Sequence, residues 1–514
     1  MKQLLNKLSK PSERGQVIVI IVFAMVGLIS AIGLMTDGGI LLIEYAKLKR
    51  AIDAASIASA SQYRRGFVAQ DLVDAAQEFL ILNDSEADNI VIYRCKRDPE
   101  TDAVITDVDG TEHDEALCEL PRRKLIRVDA TRLVQFGFMR VVGIDSGSIS
   151  ASSVGEAASI DMVLVIDNSI SMVYETNPTG EDDKIDPSED PAVCNAAHTC
   201  QPMEGIKALA AQFVEDFMFF PYDRVAIVTM TNPTPDIAVI GGVLPRNAYT
   251  VLPLDDSESD VLAAIDGIRV FQPGECPFDP DNTTFYGTCR DTCLQAEIDR
   301  DVTDPGSPCH LNTAGTFLSD SCTRGPGNDQ RVCGSSNIGF ALYTGSQEYL
   351  RESAGVRDDS FWTLVLLAGG PSNASSPEPV LTVSFTDSDS NGFPDDPEYW
   401  GFCPTGTTLR CRDADSNSRH AESDSMYDSD DYARDIADLV ANPDTGGGIT
   451  VFTIGYGALL QTNTAGGAPL LEYIAESAGG ASANHGFYQD AAVLSDLGPV
   501  FEEIGKYIFT KLSQ

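Results

Sequence analysis

The chain has 514 residues and a formal net charge of −42, because it carries 77 acidic and 35 basic side chains. It is too long for one compact core, so we expect two or three folded units. The charge argues against binding to nucleic acid or to an anionic lipid face, and it favours divalent cations or basic partners. The alternative is that the acidity only keeps an exported protein soluble.

An apolar run without a charged residue spans residues 17–35. Its length of 19 residues approaches the ~20 that a helix needs to cross the hydrocarbon layer of a membrane. We therefore predict a cytoplasmic segment over residues 1–15 and a transmembrane helix over residues 16–36. A cleaved secretory signal is the alternative, but its apolar region would be shorter and would end in small residues rather than in Met35.

Basic residues dominate the segment before the run, where the one acidic residue is Glu13. The positive-inside rule then keeps the N-terminus in the cytoplasm and places everything after Asp37 outside it. The sequence predicts a single-pass bacterial membrane protein whose C-terminal part lies in the periplasm or on the cell surface. The basic residues are Lys2, Lys7, Lys10 and Arg14.

Residues 38–63 keep helical spacing of apolar residues with many alanines, which predicts one long amphipathic helix continuing outward from the membrane. Residues 14–60 resemble the N-terminal region of TadG-like proteins of the tight-adherence (Flp) pilus assembly system. Arg14-Gly15-Gln16, Asp37-Gly38 and the stretch from Leu48 to Ala58 carry the resemblance, which covers about a tenth of the chain. It implies a role in pilus assembly. The alternative is an anchor of no particular family, with the same topology.

Residues 37–158 are predicted to hold this stalk and a small α+β module. A helix is expected over 69–82, strands over 89–94 and 124–129, and a closing segment over 148–158. Cys95 and Cys118 would close a loop within the module. We find no catalytic constellation there.

The cysteines begin only at residue 95 and are even in number, which favours disulfides and an oxidising compartment over zinc sites. Six of them fall within 276–333, a stretch rich in Gly, Pro, Asp and Thr that needs such bonds to hold a shape. The disulfide candidates are Cys95, Cys118, Cys194, Cys200, Cys276, Cys289, Cys293, Cys309, Cys322, Cys333, Cys403 and Cys411.

Residues 159–514 alternate apolar strands with helices, which predicts an α/β domain with a doubly wound, mostly parallel sheet. Insertions are expected at about 271–333 and 371–432. In such a sheet, ligands gather at the carboxyl ends of the strands. Strands are expected over 162–166, 224–230, 362–367 and 449–456, and helices over 203–217, 257–268, 337–350, 469–477 and 494–509.

The first of these strands ends in a D-x-S-x-S run formed by Asp167, Ser169 and Ser171, whose oxygens can point to one hard cation. The run resembles the metal-ion-dependent adhesion site (MIDAS) of von Willebrand factor A (VWA) domains. The resemblance continues through Gly334 to Gly339, through residues 449–457 and through residues 471–488. It implies Ser336 as a further metal ligand and Mg²⁺ or Mn²⁺ as the ion.

The sequence departs from this family at Gly369, because Ala368-Gly369-Gly370 stands where the family usually has Thr-Asp-Gly. A site with one carboxylate neutralises Mg²⁺ less well and should bind it more weakly. The alternatives are a weak site, a site that an acidic side chain of a partner completes, or an inactive site. A polar turn without a metal is the remaining interpretation of D-x-S-x-S.

The second insertion contains a twelve-residue run from Asp387 to Glu398 that fits the calcium-loop pattern, with Gly392 at the turn. Prolines in the run argue against a paired EF-hand and favour a single calcium-stabilised loop. A solvated acidic loop is the alternative. The expected Ca²⁺ ligands are Asp387, Asp389, Asn391, Phe393, Asp395 and Glu398.

The sequence contains no phosphate-cradling loop, no H-E-x-x-H and no nucleophile elbow, so we expect binding rather than catalysis. The first hypothesis is a membrane-anchored module that binds a protein partner or pilus component through its metal-bearing edge, in pilus assembly or surface adhesion. The second is a structural scaffold that co-assembles with pilin-like helices and has no working metal site. An exported hydrolase with an unrecognised site is a third.

Overall fold

The structure, a computed structural model, describes residues 14–512 with gaps. The longer gaps are 173–190, 231–247, 271–335 apart from 278–279 and 284–285, and 373–428 apart from 419–420. The shorter gaps are 84, 86, 99–100, 121, 170–171, 352–354, 358–359, 445–446, 458–459 and 461–465. The chain divides into two compact units, Met1–Ala158 and Ser159–Gln514.

The first unit is built on one helix, α1, which runs without a break over Arg14–Ser61. It is the one described helix that is long and apolar enough to cross a membrane by length and composition. Side chains of the apolar run are exposed, whereas Leu48, Ala51 and Ile52 are fully buried. The helix is continuous, as the sequence predicted, and it has a bare apolar half and a half that packs on the rest of its unit.

A four-stranded sheet covers the packed half of α1, in the order β2-β1-β3-β4. Its strands are β1 (Asn89–Arg94), β2 (Glu112–His113), β3 (Lys124–Gln135) and β4 (Ser146–Ala157), and helix α2 spans Ala69–Leu82. Strands β3 and β4 form an antiparallel hairpin. At Gly155 the strand approaches α1 so closely that a Cβ atom would lie 2.2 Å from the carbonyl oxygen of Ser56. A disulfide joins Cys95 to Cys118.

The second unit contains a six-stranded sheet in the order β12-β11-β10-β5-β6-β7. Neighbouring strands are parallel from β12 to β6, and the edge strand β7 is antiparallel to β6. The α/β class that the sequence predicted is confirmed, and the sheet is mixed. Its strands are β5 (Ile160–Ile166), β6 (Arg224–Thr229), β7 (Tyr249–Asp255), β10 (Phe361–Ala368), β11 (Thr450–Tyr456) and β12 (His485–Ala491). Two further strands, β8 (Phe278–Asp279) and β9 (Thr284–Phe285), form a separate small hairpin.

Helices cover both faces of this sheet. Because strand side chains alternate between the two faces, Met162 and Leu164 of β5 lie in one hydrophobic cluster and Val163 and Val165 in the other. Helices α4 (Met203–Phe217), α5 (Glu258–Asp266) and α9 (Leu494–Leu512) contribute to the first cluster, and α6 (Ile338–Tyr349), α7 (Ser429–Ala441) and α8 (Ala468–Glu476) to the second. A short helix, α3 (Pro191–Ala197), precedes α4.

A buried ion cluster joins the amino ends of the three central strands. Asp161 of β5, with no exposed surface, accepts hydrogen bonds from Arg224 at 2.6 and 3.0 Å and from Arg357. Burial raises the pKa of the Asp161 carboxyl, but the hydrogen bonds and charges of Arg224 and Arg357 outweigh burial and hold the pKa below its ordinary value. The cluster fixes β5 against β6 and against the chain entering β10.

Candidate metal-binding site

The candidate site lies at the opposite, carboxyl end of the central strands. Asp167 directly follows β5, and its backbone N–H donates to the carbonyl of Leu367 in β10 at 2.9 Å. Gly369 directly follows β10. Because β5 and β10 are parallel neighbours, the residues after both strands meet at one edge of the sheet.

The Asp167 carboxylate is fully buried and accepts three hydrogen bonds. Its Oδ1 accepts from the backbone N–H of Ser169 at 2.8 Å, and its Oδ2 accepts from the backbone N–H of Gly369 at 2.9 Å. The hydroxyl of Ser336 also donates to Oδ2, at 2.9 Å. Two loops and a helix start therefore converge on one carboxylate.

Ser336 reaches the site because α6 begins just after it. Asn337 caps this helix, with its side-chain oxygen accepting the N–H of Phe340 at 3.1 Å. Ser336 is 3% exposed, and its Oγ lies 3.4 Å from the Oγ of Ser169. The structure thus brings together Asp167, Ser169 and Ser336, three of the four residues that the resemblance implied as metal ligands. Ser171, the fourth residue of that set, lies outside the described residues.

These three side chains fit a divalent cation in chemistry and in spacing. All of them offer oxygen, the ligand atom of Mg²⁺ and Ca²⁺. Adjacent ligands of an octahedral ion bound at ~2.1 Å lie about 3 Å apart, and the Oγ of Ser336 lies 2.9 Å from Asp167 Oδ2 and 3.4 Å from Ser169 Oγ. Ser336 Oγ could therefore occupy a position adjacent to each of the other two ligands, and the three oxygens carry a single negative charge.

The space at Gly369 is taken by a methionine. A Cβ atom at residue 369 would lie 2.2 Å from Sδ of Met172 and 3.7 Å from Oδ2 of Asp167. Met172 is 1% exposed and follows the D-x-S-x-S run by one residue. A carboxylate at 369 would therefore stand beside Asp167, but Met172 has to move first. The sequence did not single out Met172. The only signal for it is that Gly369 has no side chain, so another side chain has to fill the space beside Asp167.

A braced segment borders the site. The side chain of Asn168 donates to the carbonyl of Arg269 at 3.2 Å. Asn195 of α3 binds both the N–H and the carbonyl of Val270, at 3.0 and 2.8 Å. A disulfide between Cys194 and Cys200 closes the turn after α3. The chain leading to the first insertion is thus held beside the Asp167 turn by two asparagines that sequence reasoning did not single out.

Other predicted sites lie outside the described residues. These are the six calcium-loop ligands between 387 and 398 and the cysteines at 276, 289, 293, 309, 322, 333, 403 and 411. Within the described residues, His113, Glu115 and Cys118 lie close enough to hold a metal ion. Cys118 is bonded to Cys95, so it has no thiolate to offer, and this cluster is not a candidate.

No protein-family model matches the chain, and comparison with curated proteins finds no match. Among solved structures, the vWF domain of the type V pili tip protein Mfa5 from Porphyromonas gingivalis is 12% identical over 70% of this chain and 97% of that chain, with a TM-score of 0.35. The PilB minor pilin from Streptococcus sanguinis is 13% identical over 76% of this chain and 75% of that chain, with a TM-score of 0.34.

Proximal thread matrix protein 1 from the mussel byssus, in a structure with a zinc-occupied MIDAS motif, is 12% identical with a TM-score of 0.29. That match covers 69% of this chain and 46% of the mussel chain, so this chain spans less than half the length of that protein. Similarities at this level carry no argument about function, which rests on the site itself.

Proposed function

We propose that this chain is a membrane-anchored, extracytoplasmic VWA-like module that binds a protein partner through a divalent cation held by Asp167, Ser169 and Ser336. The observation that carries the proposal is the meeting of one buried carboxylate and two serine hydroxyls at the carboxyl end of β5. Mg²⁺ or Mn²⁺ is the proposed ion at this edge, and Ca²⁺ is proposed for the loop at 387–398.

The partner's contribution follows from the charge at the site. Asp167, Ser169 and Ser336, the ligands that the structure describes, bring one negative charge and leave excess positive charge on a divalent ion. An acidic side chain from a partner would fill a position and supply the charge that Gly369 lacks. Binding of cation and partner would then be mutually dependent, because each raises the affinity for the other by the same factor.

Helix α1 supplies the proposed anchor. Its uncharged run is exposed at every residue except Gly33, with Phe23 72% and Leu28 63% exposed. Such a surface is stable only in lipid or against other apolar helices. The resemblance of residues 14–60 to TadG-like proteins supports placing the protein in Flp pilus assembly or surface adhesion. Binding rather than catalysis is proposed for the whole chain.

The test is calorimetric titration of Mg²⁺, Mn²⁺ and Ca²⁺ into the full chain in nanodiscs, with two matched variants. Asp167→Asn keeps the shape of the side chain and removes its charge, so it should abolish the Mg²⁺ signal. Asp387→Asn should leave that signal intact and weaken Ca²⁺ binding. Exchanging chloride for acetate, a mimic of a partner's carboxylate, should raise the Mg²⁺ affinity of the parent. A Mg²⁺ signal that is equal in the parent and in Asp167→Asn would refute the site.

A second candidate is a scaffold that co-assembles with pilin-like helices. It is favoured by apolar side chains of α1 that stay exposed beyond the uncharged run, with Leu42 69% and Ile43 57% exposed. If this function is correct, photo-crosslinkers placed at these two residues should capture another helix of the assembly, and Asp167→Asn should have no effect on that capture.

A further inference from the structure

The loop between β3 and β4 has an apolar surface that is exposed rather than packed against the rest of its own unit. This hairpin tip comprises residues 136–145 and contains a 3₁₀ turn over Met139–Val142. Three of its apolar side chains are exposed to a large degree, Phe138 by 47%, Val141 by 83% and Ile144 by 45%. Such clustering on an exposed turn marks an interaction surface.

The hairpin tip lies against the part of α1 that is proposed to sit in the membrane. Gly33 is buried, and a Cβ atom there would lie 2.8 Å from the Cβ of Phe138. Gly33 belongs to the uncharged run and precedes its last residue, Met35, by about 3 Å along the helix axis. The hairpin tip therefore extends down to the level of the apolar run.

Asp37 supplies hydrogen-bond acceptors for the backbone N–H groups of the hairpin tip at this level of α1. It is 1% exposed, and its carboxylate accepts the N–H groups of Gly137 at 3.0 Å, Phe138 at 3.0 Å and Met139 at 2.6 Å. Unpaired N–H groups are costly where water is excluded. The one acidic residue just after the run thus satisfies three consecutive donors of the segment that reaches toward the hydrocarbon.

We infer that the hairpin tip inserts into the outer boundary of the bilayer beside α1, with Phe138, Val141 and Ile144 among the lipid acyl chains. This rests on the membrane anchoring of the proposed function. Lipid is the occupant because the apolar surface of the hairpin tip continues that of α1, where Leu34 is 60% and Met35 78% exposed.

The attraction is apolar rather than ionic. Arg140 and Asp145 of the hairpin tip form a pair at 3.6 Å and are both exposed, so they cancel in charge and can remain at the headgroups. Insertion of this kind buries apolar side chains ~5–10 Å into the boundary between headgroups and acyl chains. It would fix the first unit against the membrane surface at a second point, so that α1 could not turn freely.

The experiment uses the full chain in phosphatidylcholine nanodiscs, with or without two brominated lipids: one is brominated near the glycerol end of the acyl chains, at the depth expected for Val141, and the other near their middle, at the depth expected for Leu28. Tryptophan is introduced one residue at a time as Val141→Trp, as Leu28→Trp within the run, and as Val108→Trp, an exposed residue of the same unit. Emission of the parent, from its two native tryptophans, is subtracted. We expect the first of these lipids to quench Val141→Trp strongly and Val108→Trp hardly at all.

The variants separate this inference from the anchor on which it rests. Quenching of Leu28→Trp without quenching of Val141→Trp would overturn the insertion of the hairpin tip and leave the anchor standing. No quenching of Leu28→Trp would remove the anchor and the inference with it. Blue-shifted emission of Val141→Trp that resists both bromolipid and aqueous iodide would mean that protein covers the hairpin tip, which also overturns the inference.

Discussion

The buried cluster around Asp161 predicts that Asp161→Asn destabilises the second unit. The Asp161 carboxylate accepts from Arg224, from Arg357 and from the hydroxyl of Ser360 at 2.8 Å. Each arginine keeps one backbone carbonyl, Gly355 for Arg224 at 2.9 Å and Tyr222 for Arg357 at 2.8 Å. The substitution therefore removes the carboxylate charge that both buried guanidinium groups face and turns an amide donor toward them.

Removing one partner of a buried ion pair costs up to about 3–5 kcal/mol, which is the cost when nothing else compensates the remaining charge. We expect the free energy of unfolding to fall by an amount up to this range, because both arginines still donate to backbone carbonyls. The consequence extends to the candidate site, because the cluster fixes the strands that end in Asp167 and Gly369. Mg²⁺ affinity should fall as well, although Asp161 lies at the other end of β5.

The assay is urea unfolding of the full chain in detergent, followed by the fluorescence of Trp362 in a Trp400→Phe background. Trp362 reports on the cluster directly, since its ring N–H donates to the carbonyl of Arg357 at 3.1 Å. The matched control is Asp216→Asn, which neutralises an exposed aspartate on α4 and should change stability by less than ~0.5 kcal/mol. An equal effect of the two substitutions would refute the reasoning.

The same cluster sets a pH dependence. Because the native pKa of Asp161 lies below its ordinary value of 3.8, the unfolded state takes up the proton first as the pH falls. The stabilisation is complete above that value and is lost as the pH falls through the lowered native pKa. The difference in stability between the parent and Asp161→Asn should therefore be constant near neutral pH and shrink in acid below about pH 4.

Two glycines give further predictions. Gly155→Ala should destabilise the first unit by about 1–3 kcal/mol, because its Cβ would meet backbone atoms of Ser56 and Ile57 that cannot move aside. Thermal unfolding by circular dichroism checks this. The control is Gly39→Ala in helix α1, which meets nothing within 4 Å and should not destabilise, since alanine favours a helix over glycine. Gly369→Asp combined with Met172→Ala should raise Mg²⁺ affinity by about tenfold or more. Gly369→Asn in the same background should not, and an equal gain in both would exclude a charge effect at the cation.

Much of the second unit's fold follows from apolar patterning. Helix α4 has the predicted bounds, and β5, β6, β10 and β11 lie within two residues of the predicted strands. Helix α7 was not predicted, because its first turn is charged. Asp430 and Asp431 are buried there, since Arg434 pairs with Asp430 and His420 lies 3.1 Å from Asp431. The first pair lies within the helix, whereas the contact with His420 comes from outside it, and hydrophobic periodicity indicates neither.

Strand β7 was missed for a different reason. Its sequence includes Pro253 and its side chains are mostly half-buried, which weakens both strand propensity and alternation. Proline is tolerated there because β7 is the edge of the sheet. In the first unit, β3 continues to Gln135, six residues beyond the predicted end at 129. Its extra length carries the hairpin tip down to Gly33, which no local pattern indicates.

Two aspartates that follow apolar runs, Asp37 and Asp167, show why a motif alone does not define a cation site. Both are buried and both accept backbone N–H groups from segments 100 residues or more away. Every donor to Asp37 in the described structure is a backbone N–H, which has no lone pair to offer a cation. Asp167 instead shares its space with the hydroxyls of Ser169 and Ser336, which can turn their lone pairs toward an ion. The same side chain after the same kind of run is thus a structural cap in one unit and a candidate metal ligand in the other, and the neighbouring hydroxyls make the difference.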